Sequence, residues 1–343
     1  MKYLILLALI FSPLQIFAQS FPSAFDETAE LALTPKIPAP EEEVLVKVSS
    51  SNYSSLDRSN IIWSVDGVVK KRGIGEKTFQ FQSPKSGRSS TVSVRVERDT
   101  GGVLNESATI TPSDLDLIYE ANTYVPPFYK GRSLFTHEST ITMAAMAIIK
   151  ENGVPLPKNK IIYTWLKDDG KMPELSGVGR DSAQITGSLI SRPFYVSVIA
   201  ESLNSNLKAK KTILINPTVP QVVLYENNPI YGSIFEKALT GEFNFDREEV
   251  GITAIPYFFS TKDRNSSSLK YSWYENGRSI GDATFGSFIN YLNPDKLKSG
   301  VSVLAVQVEH LENLLQSGNN SFKINVIGNQ QFDTIKNDVK TAF

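Results

Sequence analysis

Beyond the N-terminal segment, apolar residues alternate with polar ones in short runs at a period of two. Val44, Val46 and Val48 make one such run, and Val92, Val94 and Val96 another. Val196 and Val198, Ile213 and Ile215, Val301 and Val303, and Ile324 and Val326 continue the series. Successive side chains of a strand point to opposite faces, so the pattern predicts strands with one buried face. A helical stripe is found only in the tail, where Phe332, Ile335, Val339 and Phe343 recur at spacings of 3, 4 and 4. The expected class is all-β, with a short amphipathic helix as the candidate exception in residues 329–343.

The start of the chain has a different texture. Lys2 precedes an apolar run from Leu4 to Phe11, Ser12-Pro13 breaks it, and the small residues Ala18 and Ser20 follow. This is the layout of a secretory signal over residues 1–20, too interrupted for a spanning helix of about 20 apolar residues. An exported protein is expected (periplasmic, cell-surface or extracellular), with no membrane span once the signal is cleaved. Pro22, Pro35, Pro38 and Pro40 then read as an extended linker over 21–40, with structure beginning near Glu41.

Three tryptophans carry an internal repeat. Ile61-Ile62-Trp63-Ser64-Val65-Asp66-Gly67, the segment from Ile161 through Trp165 to Gly170, and the segment from Leu269 through Trp273 to Gly277 each run from an apolar strand into a turn glycine. They stand 102 and 108 residues apart, the length of one sandwich module. An alternating strand follows each at 30 or 31 residues, marked by Val94, Val196 and Val303. With proline at Pro112, Pro217 and Pro220 punctuating the exits, the expected modules are 41–112, 113–217 and 218–328. A tryptophan on a central strand fills the space between two sheets, so Trp63, Trp165 and Trp273 are expected core residues, ligand stacking being the alternative. The second and third modules share more: Tyr119-Glu120-Ala121-Asn122 matches Tyr225-Glu226-Asn227-Asn228, and the Pro127-Phe128-Tyr129 segment matches Pro229-Ile230-Tyr231.

The Trp-Ser-Val-Asp-Gly segment, followed about 30 residues later by Val92-Ser93-Val94-Arg95-Val96, resembles the tryptophan and penultimate strands of PKD-like and immunoglobulin-like modules. Leu117-Ile118-Tyr119-Glu120 ahead of Pro126-Pro127-Phe128-Tyr129-Lys130-Gly131 is similar to a pattern in a group of exported bacterial proteins. These resemblances imply tandem β-sandwiches and work at a cell surface or on a pilus.

Composition narrows the chemistry. The net charge of -1 gives no basic field for nucleic acid, and Lys208, Lys210 and Lys211 read as a solvated strand edge. The absence of cysteine removes disulfides, thiolate metal sites and thiol catalysis. The two histidines, His137 and His310, lack zincin or triad spacing. Gly177-Val178-Gly179-Arg180 lacks the helix and lysine of a phosphate cradle. The neighbouring carboxylates Asp114/Asp116, Asp168/Asp169 and Glu248/Glu249 lack the deep cleft in which a glycosidase keeps one carboxyl protonated. No catalytic residue is nominated. Calcium is the one cofactor considered, at the Asp114/Asp116/Glu120 junction, though no EF-hand-type loop occurs.

Two segments are candidates for interaction. Pro127, Phe128 and Tyr129 either mark a strand that kinks and switches sheets or present an exposed aromatic edge. Leu311, Leu314 and Leu315 lie on a long connection and either insert into a partner groove or cap the sandwich as a helical turn. The resulting expectation is a non-enzymatic surface spacer or adhesion module with a protein partner at the cell envelope. A pilus-assembly subunit and a carbohydrate-binding or carbohydrate-active protein are the alternatives.

Overall fold

A computed structural model describes residues 28–50, 56–99, 101–281, 286–292 and 299–328. The signal segment and the C-terminal stripe lie outside the described residues. The chain divides into two compact units, strands β1–β7 in one and β8–β26 in the other.

The first unit is one sandwich. Its strands are β1 (Ala29–Thr34), β2 (Glu43–Ser50), β3 (Asn60–Val65), β4 (Val68–Ile74), β5 (Thr78–Gln82), β6 (Ser90–Glu97) and β7 (Val103–Ile110). One sheet runs β1-β2-β5 and the other β4-β3-β6-β7, all pairs antiparallel. Val44, Val46 and Val48 meet Ile61, Trp63, Val92, Val94 and Val96 in one core. Structure therefore begins before Glu41: Ala29, Leu31 and Leu33 pack on this core and pair with Ser50, Val48 and Val46. This edge strand is only half-buried and its alternation stops at Pro35, so the following prolines masked it in the sequence.

The second sandwich holds β8 (Asp114–Ala121), β9 (Thr140–Ile148), β10 (Lys150–Glu151), β11 (Val154–Pro155), β12 (Ile161–Lys167) and β13 (Gly170–Lys171). Then come β14 (Gly177–Val178), β15 (Ser182–Thr186), β16 (Phe194–Ser202) and β17 (Lys208–Ile215). Sheet β15-β9-β8 faces sheet β13-β12-β16-β17, with β14 also paired to β12. The third holds β18 (Gln221–Asn228), β19 (Gly232–Ala238), β20 (Glu242–Phe245), β21 (Glu249–Tyr257) and β22 (Leu269–Glu275). It ends with β23 (Arg278–Gly281), β24 (Phe288–Leu292), β25 (Gly300–His310) and β26 (Ser317–Val326). Sheet β19-β18-β21-β24 faces sheet β20-β26-β25-β22-β23. The chain is thus all-β, built of three tandem immunoglobulin-like sandwiches.

All three indoles are fully buried, and each donates its N–H to a backbone carbonyl: Trp63 to Glu76, Trp165 to Arg180 and Trp273 to Gly286. Three residues after each tryptophan stands Asp66, Asp168 or Asn276, all in the left-handed region. Their side chains accept the N–H of Thr91, Tyr195 and Val303, and their own N–H groups donate back to the carbonyls of those residues. Asx tolerates positive φ and mimics a turn, which is why Asp or Asn fits here. Asp168 is therefore committed to closing a hairpin.

The strand opposite each tryptophan corrects one expectation. The true cross-strand partners are Val94, Val198 and Val306. In β25 the buried set is Leu304, Val306 and Val308, whereas Val301 and Val303 are 62% and 39% exposed. A strand shifted by an odd number of residues turns its whole apolar set to the other face, so the Val301/Val303 alternation marks the outer surface.

Candidate interaction surface

In both later modules the chain leaves the sheet of its opening strand before returning to it. After β8 the chain crosses to Thr136, which bridges Thr218 in parallel, and in the third module β20 pairs in parallel with β26. Pro126 to Tyr129 lie on the first of these crossings, in the chain between β8 and Thr136. Phe128 sits at a φ of 64° and is 96% exposed, and Pro127 is exposed as well. Tyr129 is 38% exposed and meets Tyr257 and Phe258 edge to face, at 5.7 and 6.1 Å between ring centres. Next to it Tyr124 donates its N–H to Phe259 O and accepts from Phe258 N, both at 2.8 Å. These contacts fasten the second sandwich to the third.

A buried glutamine completes the joint. Gln316, 1% exposed immediately before β26, donates from Nε2 to His137 O at 2.6 Å, Ser260 Oγ at 2.8 Å and Thr136 Oγ1 at 3.3 Å. Its Oε1 accepts the Ser260 N–H at 2.7 Å. His310, buried at the end of β25, accepts the N–H groups of Glu312 and Asn313 at Nδ1. That leaves Nε2 to carry the proton and donate to Ser260 O at 3.2 Å. His137 accepts the Ser191 N–H at Nδ1. Both histidines hold loops in place.

Between His310 and Gln316 the chain forms no helix. Leu311, Leu314 and Leu315 are 58%, 75% and 42% exposed, so the turn closed by Gln316 N–H to Asn313 O does not cap the sandwich with them, and the polar Gln316 is buried in their place. The physical reason is the joint itself: its floor is made of backbone carbonyls and hydroxyls, which an amide satisfies and a leucine does not. Beside this loop lies an open cleft of about 670 Å³ lined by Asn122, Glu138, Asp263, His310, Glu312 and Asn313. Glu138, at a φ of 61°, has a buried Oε2 that accepts no hydrogen bond among the described residues. Gln316 and Glu138 had no distinguishing sequence signal, since neither belongs to a motif.

The three carboxylates considered for calcium do not converge. Asp114, Asp116 and Glu120 point outward from alternate positions of β8, and six residues of strand separate the first from the last by about 20 Å. Among the described residues no group of three or more acidic or histidine side chains could hold a metal ion. Of the residues considered for a carbohydrate site, Trp165 is buried, whereas Asp168 and Asp169 are exposed, with Asp168 Oδ1 accepting the Tyr195 N–H. Strand β17 closes one sheet, with Lys208 paired to Glu201 at 2.6 Å. No helix of the described residues is long and apolar enough to cross a membrane.

Burial raises the phenols of Tyr124, Tyr163, Tyr257, Tyr271 and Tyr291 above the ordinary value of 10.0, and at Tyr257 the hydrogen bond with Tyr225 adds to the effect. A phenol whose folded value is raised stabilises the fold in full below the ordinary value and loses that contribution as pH climbs toward the folded one. Alkaline titration followed by phenolate absorbance should therefore show at least five of the 13 tyrosines lagging, then ionising together as the sandwiches unfold. Thirteen phenols titrating as one ordinary group would contradict the packing of these rings.

No protein-family model matches the sequence, and no curated protein matches it. Among solved structures the chain is similar to the central fibronectin-III array of RIM-binding protein. That match is 14% identical over 88% of this chain and 96% of the other, at a TM-score of 0.32. It is also similar to immunoglobulin domains 1–5 of Sidekick-1, at 10% identity over 89% and 60% and a TM-score of 0.28. A third likeness is to a structure from work on host cell surface retention of a 1.5-MDa bacterial ice-binding adhesin, at 10% identity over 88% and 98% and a TM-score of 0.20. The sandwich fold itself is established by the strand pairing described above.

Proposed function

We propose that this chain is a non-enzymatic, exported interaction module of the cell surface, which presents the Leu311–Leu315 loop and the adjoining cleft to a protein partner at the envelope. The observation that carries this reading is the contrast between the loop's exposed leucines and its fixed frame. Large apolar side chains standing in water are what a partner pocket takes up. His310 and Gln316 order the loop beforehand, which lowers the entropy lost on binding. The Glu138 carboxylate offers an acceptor at the cleft for a donor on that partner. The sandwiches on either side set the reach of the site.

The test begins with capture of partners from native envelope by the mature chain. Replacing Leu311, Leu314 and Leu315 together by serine should leave the melting temperature nearly unchanged, since exposed positions shift stability by only about 0.5 kcal/mol. Capture should fall by about a hundredfold, the loss of two or more anchor residues. A triple variant that retrieves the same partner as the native chain overturns the assignment of this loop.

A further inference from the structure

We infer that the outer face of the third sandwich carries a binding site for a neutral, hydroxyl-rich ligand, a sugar unit of a glycan. This goes beyond the function proposed above and uses none of its residues. In sheet β19-β18-β21-β24, Asn227, Gly251 and Asn290 stand side by side in one row across β18, β21 and β24. Val250, Ile252 and Ile289 are buried in the core, so the alternating neighbours Gly251 and Asn290 face outward. Strands lie about 4.8 Å apart, so the two asparagines flank a gap of about 10 Å whose middle position has no side chain. Phe288, two residues along β24, lays the tip of its ring over that glycine: a β-carbon at 251 would stand 3.0 Å from its Cε2 and 2.7 Å from Asn227 O. The ring remains 38% exposed. The result is a groove of about 330 Å³, to whose walls Glu249 and the ion pair of Arg247 with Glu226, at 2.9 Å, also contribute.

The lining decides the class of ligand. The volume is that of an ordinary small-molecule cleft, about 300 to 1,000 Å³, but amides, carboxylates and a guanidinium stand where such clefts are mostly apolar. An apolar ligand would strip water from these groups and return no hydrogen bond. An amide donates and accepts, a carboxylate accepts and a guanidinium donates, which together complement hydroxyls that do both. One guanidinium is set against two carboxylates, so an anion gains nothing here. The Phe288 ring adds a flat apolar surface for the C–H face of a pyranose. The row runs across the strands on the face of the sheet, whereas a peptide joins a sheet by its backbone along a strand edge. A sugar ring meets all of these conditions at once.

Cellotetraose, mannotetraose, galactotetraose and N-acetylchitotetraose, with tetragalacturonate as the charged counterpart, can each be titrated into the full chain by calorimetry and saturation-transfer NMR at millimolar concentration. At least one neutral tetramer should bind, and tetragalacturonate should bind at least about tenfold more weakly. Asn290→Ala, at an exposed position, should leave the melting temperature unchanged and weaken sugar binding by about tenfold, the net worth of one or two hydrogen bonds. Phe288→Ala should weaken it by about as much or more, through loss of the platform. The chain with Leu311, Leu314 and Leu315 all replaced by serine should bind the sugar as the native chain does, so this site and the leucine loop stand or fall separately. Binding by none of the neutral tetramers, or tetragalacturonate binding as tightly as they do, overturns the proposal. Sugar binding unchanged in Asn290→Ala or in Phe288→Ala overturns it equally, since the sugar then sits elsewhere on the chain.

Discussion

Replacing Trp63 by alanine is expected to remove most of the stability of the first sandwich while the transition of the second unit stays where it was. The indole is fully buried between β2 and β5 on one side and its own sheet on the other, and it stacks on Phe79 at 5.8 Å. Truncating a large buried aromatic to alanine costs about 3 to 5 kcal/mol. The Glu76 carbonyl loses its donor as well, a further cost of about 1 kcal/mol or more if no water reaches it. A sandwich of about 80 residues has only about 4 to 12 kcal/mol to lose. Calorimetry of the full chain should show one transition moved down by tens of degrees, roughly 4 to 8 °C per kcal/mol for a domain of this size. Trp63→Phe narrows the packing loss, since it keeps most of the aromatic volume while removing the N–H, and should fall between the native chain and Trp63→Ala. A melting profile untouched by Trp63→Ala would mean that the ring is not the wedge between these sheets.

Much of the fold was legible in the sequence because it is written in two short-range signals. Period-two alternation located the inward strands around Val44 and Val92, and one tryptophan per module followed by Asp-Gly or Asn-Gly located the central hairpins. Both signals arise from local backbone geometry, strand pleat and positive φ, which residue type alone can report. The same signals failed where burial depends on distant chain. At Val301 and Val303 the alternation is present, yet the face it marks is the outer one, because the register to β22 is set by Val306 opposite Trp273. At Ala29–Thr34 the apolar positions are only half-buried, so an edge strand looked like a linker. The candidate surface was half legible. Three leucines on a long connection can be seen in the sequence, whereas the frame that holds them is assembled from Thr136, His137, Ser260 and Gln316, which span 180 residues. Hydroxyl, amide and imidazole side chains are common on any surface, and only their convergence gives them a role.

Gln316→Leu is expected to cost about 3 to 5 kcal/mol, as much as a core truncation, although it exchanges one side chain for another of similar size. The amide, itself 1% exposed, satisfies a carbonyl, two hydroxyls and one N–H, and each buried group left without a partner costs about 1 to 3 kcal/mol. Gln316→Glu should do no better. It preserves an acceptor for the Ser260 N–H but sets a second carboxylate oxygen against the His137 carbonyl, where the amide donated at 2.6 Å. Gln316→Asn keeps both functions on a shorter arm, so the side chain can reach Ser260 or His137 but not both at good geometry. The order of stability should therefore be Gln, then Asn, then Leu and Glu. Hydrogen exchange supplies a second readout, because the Ser260 amide should lose protection in the Gln316→Leu variant while amides of the three tryptophan strands keep theirs. The leucine loop is anchored at Gln316, so the same substitution should weaken partner capture with Leu311, Leu314 and Leu315 all still in place. If capture by Gln316→Leu equals that of the native chain while Ser260 exchanges freely, the ordering of the loop contributes nothing to binding and the leucines act through their exposure alone.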